Sequence, residues 1–297
     1  MLKKNSYMDI GHNAISFSGD SYLGSMKEIL TPSFVPQNIM VIGGGVAGME
    51  AARVAARRGH KVELYEQKGY LGGNLVAGGM PDFKKECHAL IHWYGSELHE
   101  LNVPIHLHSW IDEEAIRQND ADIILIATGS TPIKQNIPGF RSIFSAESVL
   151  TGAKDPGHVV IVAGGGLVGC ETALWLRNQG KQVTLIEKQN EILPINKTLS
   201  YSSTETLKNL LPQKGITIRI NTIISHAVDS RIVLQTEGQQ TELVADSIVT
   251  AIGYQANNSL YETLRAEREH VYLLGDAKQV NNVMHAVRDA FDLVSQI

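Results

Sequence analysis

A glycine turn written twice at one spacing limits this chain more than any other feature. Laid on itself at an offset of 121, the sequence superimposes Gly43, Gly45 and Gly48 on Gly164, Gly166 and Gly169, and Glu66 on Glu187, without a gap. Self-similarity at a fixed offset marks a duplicated unit. Each triplet follows a short Val/Ile-rich run, Asn38 to Ile42 and Val159 to Ala163, which has the pattern of a strand covered on both faces. Ala47 to Arg58 and Leu167 to Gln179 then read as helices, and Lys61 to Glu66 and Gln182 to Glu187 as the next strands. A second match, at an offset of 124, lays Ala121 to Gly129 over Ala245 to Gly253, so the two modules also close alike.

The spacing has a chemical reason. In Gly-x-Gly-x-x-Gly the first glycine makes a tight turn, the second lets backbone approach a pyrophosphate, and the third lets helix and strand pack closely. The phosphates meet the helix N-terminus, where unpaired N–H groups and the helix dipole offset their charge. Glu66 and Glu187 each stand 18 residues after the third glycine, at the tip of the second strand, where a carboxylate accepts hydrogen bonds from ribose hydroxyls. The expected fold class is α/β, with two Rossmann-like dinucleotide-binding domains.

Composition removes other classes. The 297 residues are 43% hydrophobic and 19% charged, a globular balance, and suffice for two domains. Lys and Arg number 26 against 31 Asp and Glu, with no dense basic block, so no nucleic-acid partner is expected. Cys87 and Cys170 are the only cysteines; they form neither a C-x-x-C pair nor an iron–sulfur quartet, and a reducing cytoplasm fits them best. The polar start beyond Lys4 lacks a secretory core, and no apolar run reaches the roughly 20 residues of a membrane span.

Two further signals distinguish the first module: Gly72-Gly73-Asn74 after Glu66, and a strand from Val271 that ends in Gly275-Asp276, with a helical run from about Asn282. With these the chain, over residues 36–297, resembles the C-terminal half of the NADH:flavin oxidoreductases related to 2,4-dienoyl-CoA reductase, 2-enoate reductase and trimethylamine dehydrogenase. The resemblance implies that Gly43, Gly45, Gly48 and Glu66 hold the ADP part of FAD, that Gly72, Gly73 and Asn74 lie by the flavin, that Thr128 and Gly129 close this module, and that Asp276, after Gly275, bonds the ribityl chain. It assigns Gly164, Gly166, Gly169, Glu187 and Gly253 to the nicotinamide cofactor, in a domain inserted into the FAD domain. The expected division is an arm or linker over 1–36, an FAD-binding domain over 37–152 and 253–297, and an NAD(P)-binding domain over 153–252.

The family usually carries an FMN barrel and a cysteine cluster upstream; the 36 residues preceding this half hold neither. Disulfide reduction through a cysteine pair beside the flavin is excluded as well. The expected reaction is hydride transfer from NADH to bound FAD, with electrons passed to an external acceptor, such as a separate flavoprotein or iron–sulfur subunit. NADH is preferred to NADPH because Glu187 repels a 2′-phosphate, with Lys188 the one nearby cation. A non-catalytic subunit holding ADP or FAD is the alternative. Glu171 is a candidate nicotinamide contact, but its repeat partner is Glu50, so an acid serving the first helical turn explains it equally. His88, His92, His99, His106 and His108 crowd near Cys87 without a ligand spacing, and no metal is expected.

Overall fold

Strand β1 (Asn38–Ile42) is buried along four of its five residues, as its unbroken apolar run requires. In the computed structural model, which describes residues 30–194, 201–228 and 231–297, it turns at Gly43 into helix α1 (Val46–Arg57) and returns as β2 (Lys61–Tyr65). A one-turn helix (Asn74–Gly78) and a 3-10 turn (Asp82–Lys84) lead to α2 (Glu86–Glu100), β3 (Ile105–His106), β4 (Ile123–Ile126) and β5 (Ser130–Pro132). The second glycine turn joins β7 (Val159–Ala163) to α3 (Leu167–Asn178) and β8 (Gln182–Ile186), preceded by β6 (Ile143–Ser145) and followed by α4 (Tyr201–Gln213) and β9 (Thr217–Arg219). Strands β10 (Thr222–Val228), β11 (Arg231–Thr236) and β12 (Gln239–Val244) pair antiparallel, and β13 (Ser247–Thr250), β14 (Tyr254–Ala256), β15 (Val271–Leu273) and α5 (Val283–Val294) complete the chain. The elements around both glycine turns end within one residue of the sequence expectation.

Two compact units form. The first takes residues 30–76, Glu86–Thr131 and Tyr254–Ile297, and its parallel sheet has the order β15-β4-β1-β2-β3. The second takes Ala77–Lys85 and Pro132–Gly253, and its parallel sheet runs β6-β13-β7-β8-β9. Four strands correspond in order, β4-β1-β2-β3 and β13-β7-β8-β9, so the duplication extends beyond the glycine turns; the outer strand follows β4 in the chain in the first unit and precedes β7 in the second. The crossovers differ as well: the first unit returns from β3 to β4 through the short helix Glu113–Arg117, the second from β9 to β13 through the β10-β11-β12 meander.

The units part after Thr131, whereas the sequence reading divides the chain at 152. Pairing explains the difference: β6 bonds to β13 in register, Ile143 against Ile248, and so belongs to the second sheet. Ala77–Lys85 joins the second unit because Phe83 packs on that unit's apolar core. Strand alternation builds that core on both faces of the sheet. Val160 and Val162 of β7 face Leu174 and Leu207 of the helices, and Ile161 and Ala163 face Ile232 and Leu234 of the meander. Of the expected arm, residues 1–29 lie outside the described residues; the rest reaches β1 irregularly, with Ser33 N–H donating to Arg58 O.

Candidate functional site

The two glycine turns repeat atom for atom. A Cβ on Gly43 falls 2.3 Å from Ala127 O, and one on Gly164 falls 2.4 Å from Ala251 O. A Cβ on Gly48 stands 1.9 Å from Gly43 O, and one on Gly169 stands 1.8 Å from Gly164 O. These four positions are closed by backbone, and only glycine lets strand and helix approach so far. The middle glycines behave oppositely: at Gly45 and at Gly166 a Cβ meets no atom within 4 Å. Packing therefore explains the first and third glycines but not the second. The open space lies at the N-caps of α1 and α3, whose first N–H groups have no intrahelical partner.

The acids are fixed equally well. Glu66 accepts from Gly44 N–H at 2.7 Å and from Lys68 N–H at 2.7 Å; Glu187 accepts from Gly165 N–H at 2.6 Å and from Gln189 N–H at 2.8 Å. Each carboxylate is anchored to its own glycine turn by one oxygen and to its own loop by the other. A carboxylate has about four acceptor sites, so each keeps capacity for two more donors.

In sequence the Gly72-Gly73 pair has no copy, yet its backbone does. Gly72 N–H donates to Gly44 O at 2.8 Å, and Leu193 N–H donates to Gly165 O at 2.8 Å. Both residues have positive φ, 112° and 47°. Leu193 is a buried leucine in a conformation that strains any residue with a Cβ. A Cβ on Gly73 comes within 3.1 Å of Gly45 Cα, so the pair lies against the open position of the first turn.

Around it the first unit assembles a polar cluster. Asn74 Nδ2 donates to Ser130 O at 2.9 Å and to Ser130 Oγ at 3.3 Å, and Ser130 Oγ donates to Asp276 Oδ2 at 2.9 Å. Asp276 Oδ1 accepts from Asn281 N–H at 3.0 Å, and Asn282 caps α5 by accepting from His285 N–H. The Gly275 turn is held by Asp289 of α5, which accepts from Gly275 N–H and from Lys278 Nζ. Thr128 and Gly129 are clamped by Asn257, whose Nδ2 donates to Thr128 O and whose N–H donates to Gly129 O. Ser130, Asn257 and Asp289 escaped the sequence reading. The signal available for Ser130 was its place directly after Thr128-Gly129; Asn257 and Asp289 have none short of the fold.

Glu171 and Glu50 are not first-turn acids. Each is the fifth residue of its helix, buried in an ion pair: Glu171 with Lys84 at 2.7 Å in the second unit, Glu50 with Arg53 at 2.8 Å in the first. A neighbouring cation, not the helix dipole, compensates each carboxylate. Cys170 lies in the second unit's core, and burial pushes its thiol well above the ordinary range, so it is inert at neutral pH. His88, His92 and His99 are exposed on α2, and among the described residues no three His, Cys, Asp or Glu side chains form a group able to hold a metal. No helix among the described residues is long and apolar enough to cross a membrane.

Residues 37–290 match the family model described as pyridine nucleotide-disulphide oxidoreductase. The chain is 46% identical over 261 residues to cinnamate reductase of Clostridium sporogenes, covering 88% of this chain and 39% of that protein. It is 33% identical to NADH oxidase of Thermoanaerobacter brockii, covering 89% of this chain and 41% of that one. A solved 2-naphthoyl-CoA reductase superimposes with a TM-score of 0.84 at 25% identity, over 90% of this chain and 41% of that structure's chain. The chain thus spans about two fifths of the length of these relatives. The chain belongs to the pyridine nucleotide-disulphide oxidoreductases, flavoprotein enzymes that use FAD and NAD(H).

Proposed function

We propose that this chain is an NADH-dependent flavoprotein reductase module that delivers electrons to an acceptor outside it. The carrying observation is the space at Gly45 and Gly166: two turns closed everywhere else leave open the one position where a pyrophosphate has access to backbone N–H groups. In the first unit Gly43, Gly45, Gly48 and Glu66 would hold the ADP part of FAD, and Gly72, Gly73, Asn74, Thr128, Gly129, Gly275 and Asp276 the flavin part. In the second unit Gly164, Gly166, Gly169, Glu187 and Gly253 would hold NADH.

FAD and NADH, when bound, supply a hydride donor and its acceptor. The residues bind and orient, and none of them needs to act as acid or base in that exchange. Glu66 and Glu187 accept from ribose hydroxyls while their backbone partners keep them from turning away. Asp276, anchored by Ser130 and Asn281, accepts from flexible hydroxyls of the flavin side chain. Glu171, neutralised by Lys84, offers an acceptor of fixed position on α3 to a carboxamide N–H. In this reading the acceptor is an external flavin or iron–sulfur centre, with the arm over residues 1–36 as its docking element.

The test is the absorption spectrum of the purified protein before and after NADH without oxygen. A flavin band that bleaches supports the reading. Release of ADP or AMP without FAD on denaturation overturns it in favour of a nucleotide-holding subunit.

A further inference from the structure

We infer that Ser130 is a positioning residue for the flavin side chain, acting through Asp276. This rests on the assignment of FAD to the first unit. Ser130 opens β5 and is only 5% exposed. A hydroxyl in such a place is costly unless bonded, and alanine would serve the strand at least as well. Its partners account for it: Oγ donates to Asp276 Oδ2 at 2.9 Å and receives Asn74 Nδ2 at 3.3 Å, while its carbonyl takes the same Nδ2 at 2.9 Å.

The polarity runs one way. Asn74 donates to Ser130, Ser130 donates to Asp276, and the carboxylate ends the chain as an acceptor. Each donation polarises the next, so the bond to the charged end is the strong one. Asn281 N–H holds the other carboxylate oxygen at 3.0 Å, so Ser130 and Asn281 between them fix the plane of the group. Two oxygens with one site each taken leave the remaining sites in set directions, which is what a run of hydroxyls on a flexible chain needs in a partner. Without Oγ, Asp276 keeps one tether and rotates about it. The same bonds join the Gly73-Asn74 segment to the Gly275-Asp276 turn, so two stretches of sequence 200 residues apart address the ligand as one surface.

The test compares wild type with Ser130→Ala, Ser130→Cys and Ser130→Thr as FAD-loaded proteins, with FAD affinity from the rise of flavin fluorescence on dilution and unfolding by circular dichroism in saturating FAD. Ser130→Ala should bind FAD about five- to tenfold more weakly. Ser130→Cys, nearly isosteric with a weaker donor, should fall between, and Ser130→Thr should return to within about twofold of wild type. Unfolding midpoints should agree to within about 2 °C across the set. Wild-type affinity in Ser130→Ala, or loss as large in Ser130→Thr as in Ser130→Ala, overturns the inference while leaving the FAD assignment intact. Wild type that carries no FAD overturns that assignment, and this inference with it.

Discussion

One methyl group placed at two positions of the second turn should have opposite effects. At Gly169 the new Cβ falls 1.8 Å from Gly164 O and 3.3 Å from Ala251 Cβ. The first of these neighbours is backbone at the end of β7, so helix and strand must part by roughly 1.2 Å to reach 3.0 Å, the limit below which such contacts essentially never occur. Overpacking of this kind costs about 3 kcal/mol, which for a chain of this size lowers the unfolding midpoint by roughly 5–10 °C. At Gly166 the Cβ meets nothing within 4 Å, and φ −73°, ψ −178° is extended backbone that alanine adopts freely. The remaining cost is alanine's poorer N-cap preference, under about 1 kcal/mol. What Gly166→Ala removes is the phosphate's approach, so NADH should bind at least about tenfold more weakly, or 1.4 kcal/mol. Thermal unfolding by far-ultraviolet circular dichroism and NADH titration by fluorescence separate the two, with FAD content as an internal control on the first unit. Equal destabilisation by both substitutions, or unchanged NADH affinity in Gly166→Ala, would refute the reasoning.

Two further outcomes are expected. NADPH should reduce the flavin at least about tenfold more slowly than NADH at equal subsaturating concentration, because Gly165 N–H and Gln189 N–H hold the Glu187 carboxylate where a 2′-phosphate would lie; stopped-flow rates that match for the two cofactors contradict this. Asp246 is held below the usual aspartate range by hydrogen bonds from Val159 N–H and His158 N–H, so its contribution to stability is present above the ordinary aspartate pKa and is lost as pH falls through the lowered one. Asp246→Asn should flatten the fall in unfolding midpoint below about pH 4, and an unchanged acid limb would count against the assignment.

The parts of this molecule legible in its sequence are those where one residue type has one physical use. Gly43 and Gly48 could be read because a Cβ at either meets backbone, and Glu66 because the strand tip allows few alternatives. Leu193 shows the limit. It makes the same backbone bond as Gly72 with the opposite residue type, since its surroundings can impose a positive φ on a buried leucine. Glu171 shows another: its cation, Lys84, lies 87 positions away, and nothing local announces the pairing. The unit boundary failed for the same reason, because the three residues of β6 acquire their membership only from β13, a hundred residues later. Asn257 and Asp289 belong to this class, being polar residues whose meaning lies in partners that only the fold supplies.

The interleaving of the units also sets an order of completion during synthesis. The second unit is supplied almost wholly by one stretch, Pro132–Gly253, so it is whole soon after that stretch leaves the ribosome. The first unit starts earlier and finishes later, because β15 and α5 come from Val271 onward. Until β15 arrives, β4 keeps an open edge of four fully apolar residues, Ile123 to Ile126, with unpaired backbone groups available to any passing strand. The nascent chain is therefore most vulnerable in the interval between the emergence of Gly253 and that of β15, when its second unit is already complete.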